Sequence, residues 1–310
     1  MRYQKKFVSF LIALSLVVLS GCSYRGEPQT VNELRFSLDY ISDVTISYDE
    51  ERIIFFEAEN DELLIREYMT ENKEAYHAKV DQRGESLHIS EGGKPVFKES
   101  FNRYVEIYLP ETYRGSLTVT TTDGNIDLSE VALNLAALRI NSTSGRVEIS
   151  QASADNMNLS SASGTLDIGR LVAERIQLET TSGKITCDSV EGYVVYSSTS
   201  GDLEITSAAG SGTYQANNSG KLNVTYTVVD NDLYLFNKND NINLTLPTDL
   251  EFRFSATTKN GSVSTTFPES ISINGQITSG AVGLHPTVTI EVETRNGDTP
   301  SLLFCPFPVM

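Results

Sequence analysis

The sequence predicts an all-β chain wound as a right-handed parallel β-solenoid (a β-helix), with irregular strands capping its N-terminal end. Three observations carry that expectation. An eight-residue phrase recurs six times between residues 121 and 224, its glycines fall at 124, 145, 164, 183, 201 and 220, and its apolar residues alternate with polar ones. A period of 18 to 21 residues is too short for one repeat to bury an apolar face alone, so neighbouring repeats must stack.

The copies begin at Thr121, Ser142, Ser161, Thr180, Ser198 and Asn217, and the second reads Ser142-Thr-Ser-Gly-Arg-Val-Glu-Ile149. Two and four residues after each glycine stand apolar pairs: Ile126/Leu128, Val147/Ile149, Leu166/Ile168, Ile185/Cys187, Leu203/Ile205 and Leu222/Val224. With a polar residue between them, each pair is a strand burying one face. The glycine is expected at a bend of positive φ, which it adopts without steric cost. A second strand precedes each bend, as in Leu138-x-Ile140, Met157-x-Leu159 and Ile176-x-Leu178. Two to three strands per coil then stack as parallel sheets, and parallel crossovers are overwhelmingly right-handed. A β-sandwich would also show alternating strands, but it does not explain one phrase repeated at constant spacing.

In chain order, residues 1–21 come first, with Arg2, Lys5 and Lys6 followed by mostly apolar residues from Phe7 to Leu19. That is the layout of a secretory signal peptide, short for a membrane span. Leu19-Ser20-Gly21-Cys22 resembles the lipobox of bacterial lipoproteins. The resemblance implies cleavage before Cys22 and acylation of that cysteine; an ordinary secreted protein with a chance cysteine there is the other reading. Residues 22–32 are a polar tether containing Gly26 and Pro28. Residues 33–110 alternate as Val44-x-Ile46, Ile53-x-Phe55, Leu63-x-Ile65 and Leu87-x-Ile89, and are expected to be capping strands of the solenoid, with one helical turn somewhere in 70–79. Residues 111–300 are the solenoid repeats, nine or ten coils depending on whether 273–286 is a coil or an inserted loop. Residues 301–310 form a C-terminal tail.

Removal of residues 1–21 leaves 21 basic and 41 acidic residues, a net charge of −20. So acidic a body disfavours nucleic acid and close contact with anionic lipid. Cys187 occupies an apolar slot of the phrase and is expected to pack as a small hydrophobe. Cys305 sits in Phe304-Cys-Pro-Phe-Pro308; a disulfide to Cys187 is open to an exported chain but joins a core slot to a tail. With His77, His88 and His285 widely spaced and no paired CxxC, neither a zinc site nor any other metal or cofactor site is expected.

The Thr/Ser-x-Ser-Gly-x-apolar-acidic-apolar phrase, the segments 57–68 and 105–110, and the closing Val288-x-Ile290-x-Val292-x-Thr294-x-Asn-Gly297 resemble a bacterial family of β-strand-repeat adhesin candidates, also called toastrack domains. The resemblance covers residues 34–300. It implies a β-solenoid of envelope-associated proteins, an adhesin-like binding or scaffold role, a link to envelope-stress systems, and no catalytic residues.

The residues themselves offer three constellations. The outward acids Asp127, Glu148, Asp167 and Glu204 should form a ladder on successive coils, near Arg146, Lys184 and Lys221. Such a ladder is either a solvated face or the acid–base and calcium machinery of a polysaccharide-active β-helix, a lyase or hydrolase. The hydroxyls of Thr121, Ser142, Ser161, Thr180 and Ser198 should hydrogen-bond along the stack; as nucleophiles they would lack a base. Tyr193, Tyr196, Tyr214, Tyr226 and Tyr234 crowd the middle coils, either as core filler or as platforms for sugar rings. The expected partners are the membrane, through lipid on Cys22, and an envelope protein or glycan; the expected location is the bacterial cell envelope, outside the cytoplasm.

Overall fold

In the computed structural model, residues 26–96, 101–266, 271–296 and 299–305 are described; the leader, Cys22 and residues 306–310 lie outside them. Along residues 147–161 the buried positions come in three groups: Val147 and Ile149, Ala152 and Ala154, then Met157, Leu159 and Ser161. Between the groups stand the exposed doublets Ser150–Gln151 and Asp155–Asn156. Strand side chains alternate between faces, so two outward residues in succession turn the chain and return the next apolar residue to the inside. Each coil therefore has three sides around one narrow apolar core.

The strands are β1 (Gln29–Ser37), β2 (Asp43–Ser47), β3 (Arg52–Glu57), β4 (Glu62–Met69), β5 (Lys79–Arg83), β6 (Ser86–Ser90), β7 (Arg103–Leu109), β8 (Ser116–Thr121) and β9 (Ile126–Ser142). A single 3-10 turn at Glu74–Tyr76 is the helical turn expected within 70–79. β8 stacks in parallel on the last third of β9, with Leu117 opposite Leu138 and Val119 opposite Ile140. The capping region is less irregular than its sequence suggests. β2 pairs in parallel with both β6 and β8, and β3 pairs in parallel with both β7 and β9. The β2–β3 layer thus lies between the β6–β7 and β8–β9 layers, which are consecutive in sequence. Beyond them, antiparallel β5 covers β6, and antiparallel β4 and β1 cover β7. β5 is exposed along its whole length and carries Lys79, Asp81 and Arg83; charge of this kind discourages edge-to-edge pairing.

The regular part continues through β10 (Val147–Ser161), β11 (Thr165–Thr180), β12 (Lys184–Ser198), β13 (Asp202–Ala216), β14 (Leu222–Asn237) and β15 (Ile242–Pro247). Each is parallel to the next at one repeat's offset, as in Leu159 opposite Leu178 and Tyr196 opposite Tyr214. The remaining strands are β16 (Phe252–Thr258), β17 (Val263–Thr265), β18 (Ile271–Asn274), β19 (Ile277–Val282), β20 (Val288–Thr294) and β21 (Thr299–Cys305). β18 and β19 form an antiparallel hairpin against β16, so residues 273–286 are an insertion, not a coil, and Gly280 is not a corner. The tail reading also needs correction, because the strand bonds run past residue 300 to Cys305: Pro247 of β15 is opposite Cys305.

The C-terminal end repeats the inversion seen at the start. β20 slots in parallel between β14 and β16, while β21 slots between β15 and β17. The β2–β3 and β20–β21 pairs are thus each held between layers contributed by residues nearer the middle of the chain. Among the described residues the parallel stack runs β6, β2, β8, β9, β10, β11, β12, β13, β14, β20 and β16, and these layers at ~4.8 Å each give a rod on the order of 50 Å long. The core is continuous from Ile41 to Val292.

Candidate functional site

The phrase is first a corner. Of its six glycines only Gly220 has positive φ, at 111°, which corrects the reason for the repeat. A Cβ on Gly124, Gly145, Gly164, Gly183, Gly201 or Gly220 would meet backbone of the layer beneath inside 3.0 Å, from Gly145 onward the carbonyl oxygen of the preceding phrase glycine. Close approach between layers, not bend conformation, is what demands glycine. The hydroxyls serve the same corner. Thr121, Ser161 and Thr180 accept the N–H of the glycine three residues on, at 2.9, 3.0 and 2.8 Å. Ser142 and Ser198 donate to the carbonyls of Gly145 and Gly201 at 3.4 and 3.3 Å. The hydroxyls thus cap their own coil, and two of them also bond along the stack as expected, Thr121 donating to the Asp49 carbonyl at 2.9 Å and Thr180 to the Ala162 carbonyl at 3.5 Å.

The acidic ladder forms in the predicted register, Asp127 opposite Glu148 and Glu148 opposite Asp167. It is neutralised by cations woven into it. Arg146 bonds Glu148 at 2.8 Å on its own coil and Asp167 at 2.7 Å on the next; Lys184 reaches Glu204 at 3.1 Å. Arg52, on a layer the phrase does not include, bonds Asp127 at 2.6 Å. Burial alone would raise the Asp127 carboxyl, but hydrogen bonds from Ser129 and Arg52 outweigh it and hold the group below its ordinary value. A general acid needs the opposite shift. Half-exposed pairs like those of Arg146 contribute at most about 1 kcal/mol each.

The tyrosines divide. Tyr196, Tyr214 and Tyr226 are fully buried, with the hydroxyls of Tyr214 and Tyr226 bonded at 2.7 Å. Tyr193 is 37% exposed and, with half-buried Tyr234, lines a shallow depression on the third side of the coils. Cys187 is a buried free thiol, and burial pushes it up to about 12, which makes it inert. The side chain of Cys305 lies outside what is described.

Two features have no counterpart in the sequence reading. The outer surface of the third side carries two rows in register, Ser116, Ala137, Asn156, Arg175, Tyr193, Ser211 and Thr118, Arg139, Asn158, Gln177, Val195, Thr213. Neither row holds a carboxylate over these six layers; the third outward row holds Glu179, which accepts from the Gln177 amide, and Asp43 continues the first row one layer before Ser116. Arg175 lies 5.4 Å over the Tyr193 ring. The second feature is a buried charge network beneath the N-terminal corner. The Arg103 side chain, 0% exposed, bonds Glu51 at 2.8 Å and Glu91 at 3.0 Å, and donates to the Tyr76 carbonyl at 2.9 Å. Lys94 stands 3.4 Å from Glu51 and 3.3 Å from Glu91. Glu67, also 0% exposed, accepts from Ala78 N–H at 2.7 Å, Asn32 at 2.8 Å and the Tyr48 hydroxyl at 3.2 Å.

Among the described residues, no three His, Cys, Asp or Glu side chains converge as a metal site requires, and no helix is long and apolar enough to cross a membrane. The fold and its surface ladders, in register from coil to coil, define a β-solenoid. The profile of Toastrack DUF4097 matches residues 41–300, and the chain belongs to that family. Solved structures similar to it include a candidate lipid-binding protein from Parabacteroides distasonis, at 13% identity and TM-score 0.47, covering 89% of this chain and 97% of that one. A candidate adhesin from the same species matches at 12% identity and TM-score 0.45, covering 87% and 96%. A third, a candidate adhesin from Bacteroides fragilis, matches at 10% identity and TM-score 0.43, covering 88% and 96%. No curated protein matches the chain.

Proposed function

We propose that this protein is a non-enzymatic, lipid-anchored solenoid of the bacterial cell envelope that presents its long sides as an adhesin-like binding or scaffold surface. The observation that carries the reading is where the chain enters the stack. Among the described strands β1 is outermost at one end, bonded to β4 alone, and in the sequence the polar tether joins it to Cys22 a few residues earlier. Acyl chains on Cys22 would hold that end at the membrane, each buried methylene contributing about 0.8 kcal/mol. The rod would then extend outward, and its net negative charge would keep it off an anionic surface. A stress link, which the resemblance implies, concerns when the protein is made and leaves this geometry unchanged.

Two measurements test the proposal. Cys22→Ala is expected to move the protein from the membrane fraction to the soluble fraction; an equally membrane-bound variant would overturn the anchor. The competing enzyme reading calls for a free general acid, whereas Asp127, Glu148 and Asp167 are bound in ion pairs. The purified protein, with and without calcium, should release no reducing sugar or unsaturated product from a panel of acidic polysaccharides. Release of either product would reinstate catalysis.

A further inference from the structure

We propose that the two rows of the third side that carry Arg139 and Arg175 bind an anionic glycan. The two arginines, which have no carboxylate partner among the described ion pairs, take its acidic groups, and Tyr193 and Tyr234 pack against its sugar rings. The inference deepens the binding role proposed above by naming a face and a ligand class, and it rests on that reading.

Charge complementarity is the first argument. The outward row of the adjoining side runs Asp127, Glu148, Asp167, Thr186, Glu204, Asn223, and its acids hold the arginine and lysine beside them. On the third side two exposed guanidiniums face solvent on adjacent rows. Arg139 is in register with Asn158 and then Gln177; Arg175 is in register with Asn156 on one side and Tyr193 on the other. The two arginines are two layers apart, about 10 Å at ~4.8 Å per layer, a span suited to successive or alternate charged units of a chain lying along the rod. Their guanidiniums can fork onto carboxylate or sulfate oxygens.

The lining chemistry is the second argument. Arg139, Asn156, Asn158, Arg175 and Gln177 share one shallow depression, closed at its near end by Asp43, and Tyr193, Thr213 and Tyr234 share the next one along the same side. Amides and hydroxyls on a rigid sheet match sugar hydroxyls, and an aromatic ring offers an apolar face with a polar tip. Tyr193 is braced for this role: its hydroxyl lies 3.1 Å from the Thr213 hydroxyl, and Arg175 covers its ring. Beyond Tyr234 the surface turns acidic again at Asp232 and Glu291, which line the depression's far end. The strip therefore has an electrostatic boundary, and an acidic chain would stop there.

The test uses the full-length acylated protein in neutral detergent, with hexagalacturonate as the uronate probe and a sulfated oligosaccharide of similar length as the second anionic glycan. A neutral hexasaccharide and poly-glutamate are the comparison ligands. At least one anionic glycan should bind, with affinity falling as salt rises. Arg139→Gln with Arg175→Gln should weaken binding tenfold or more, and Tyr193→Ala should weaken it further, while Arg170→Gln, on another side of the coil, changes nothing. Fold is checked by the melting temperature of each variant, since these side chains are exposed. No binding of either anionic glycan, undiminished binding by the double variant, or equal affinity for poly-glutamate would each overturn the proposal; the last would assign the face to an acidic protein. Membrane fractionation of the same variants keeps this outcome separate from failure of the anchor.

Discussion

Gly145→Ala is expected to destabilise the solenoid by about 3 kcal/mol or more, the upper part of the range for forcing extra atoms into a packed interior. The added methyl would lie on the carbonyl oxygen of Gly124, a backbone atom that cannot rotate aside. Relief requires two layers to separate at the corner, where Thr143 and Ser144 N–H both bond the Thr122 carbonyl, at 3.2 and 2.9 Å. Those bonds lengthen together, so the cost exceeds that of one clash. Gly26→Ala is the control, since nothing lies within 4 Å of a Cβ there and Gly26 precedes the first strand. Urea unfolding of both variants measures the difference. A Gly145→Ala protein within 0.5 kcal/mol of the parent, the usual range for a surface change, would show that the layers can part freely and that the glycine ladder is not a packing requirement.

That prediction marks how far the sequence could be read. Recurrence of glycine beside an alternating pair was enough for the solenoid, its core slots such as Leu166/Ile168, and the register of the acidic ladder. The reason for the glycine was not legible, because a bend and a close approach leave the same residue in the same place. Only the position of the Gly124 carbonyl under Gly145 separates them. The inverted order at the two ends was hidden for a related reason. Val44-x-Ile46 and Leu87-x-Ile89 carry the same alternation, and either could lie against Leu117-x-Val119; register between parallel strands depends on which corner fits beside which. The third side is not legible in the sequence because Arg139 and Arg175 are far apart in it and share a face only through the stacking of β9, β10 and β11. Tyr193 and Tyr196 were grouped as one set, yet three residues apart on a strand they face opposite ways, so one is surface and the other core.

The inverted ends also bear on stability. In a simple solenoid the terminal repeat frays first, because it has one neighbour where others have two. Here β20 has partners on both sides, as does β3. Opening either end must start with strands that are tied through their own corners to the interior. Antiparallel strands cover three of the edges that remain, β5 on β6, β4 on β7 and β19 on β16, while β17 pairs with β21 alone among the described strands.

The buried network at the N-terminal corner gives the second large effect: Arg103→Met should cost about 3–5 kcal/mol at pH 7, as removal of one partner from a buried ion pair does. The guanidinium is wholly enclosed, while Glu51, buried, and Glu91, half-buried, would stay behind and no longer be opposed by it. Lys94 alone, at 3.3–3.4 Å from each, does not replace a fork of hydrogen bonds. The pH dependence separates this account from simple loss of packing. Burial pushes the Glu51 carboxyl up, but a hydrogen bond with Glu91 and the charges of Arg103 and Lys94 outweigh it and hold it at about 2, below the ordinary 4.5. A carboxyl lowered on folding stabilises the protein above the unfolded value, and the gain disappears as pH falls from 4.5 toward 2. Glu91 is raised instead, by burial first and then by Glu51. Its contribution is present below 4.5 and lost as pH rises above that value. In Arg103→Met the bond with Glu91 and the charge of Lys94 remain, but the charge and hydrogen bonds of Arg103 are gone, so the Glu51 carboxyl shifts toward the protonated form. The variant should therefore recover stability relative to the parent as pH falls, and the gap in unfolding free energy should narrow between pH 7 and pH 4. Urea titrations at the two pH values measure it. A gap of equal size at both would mean that Arg103 acts through its shape over the rings of Tyr48 and Phe101 and that its charge is incidental.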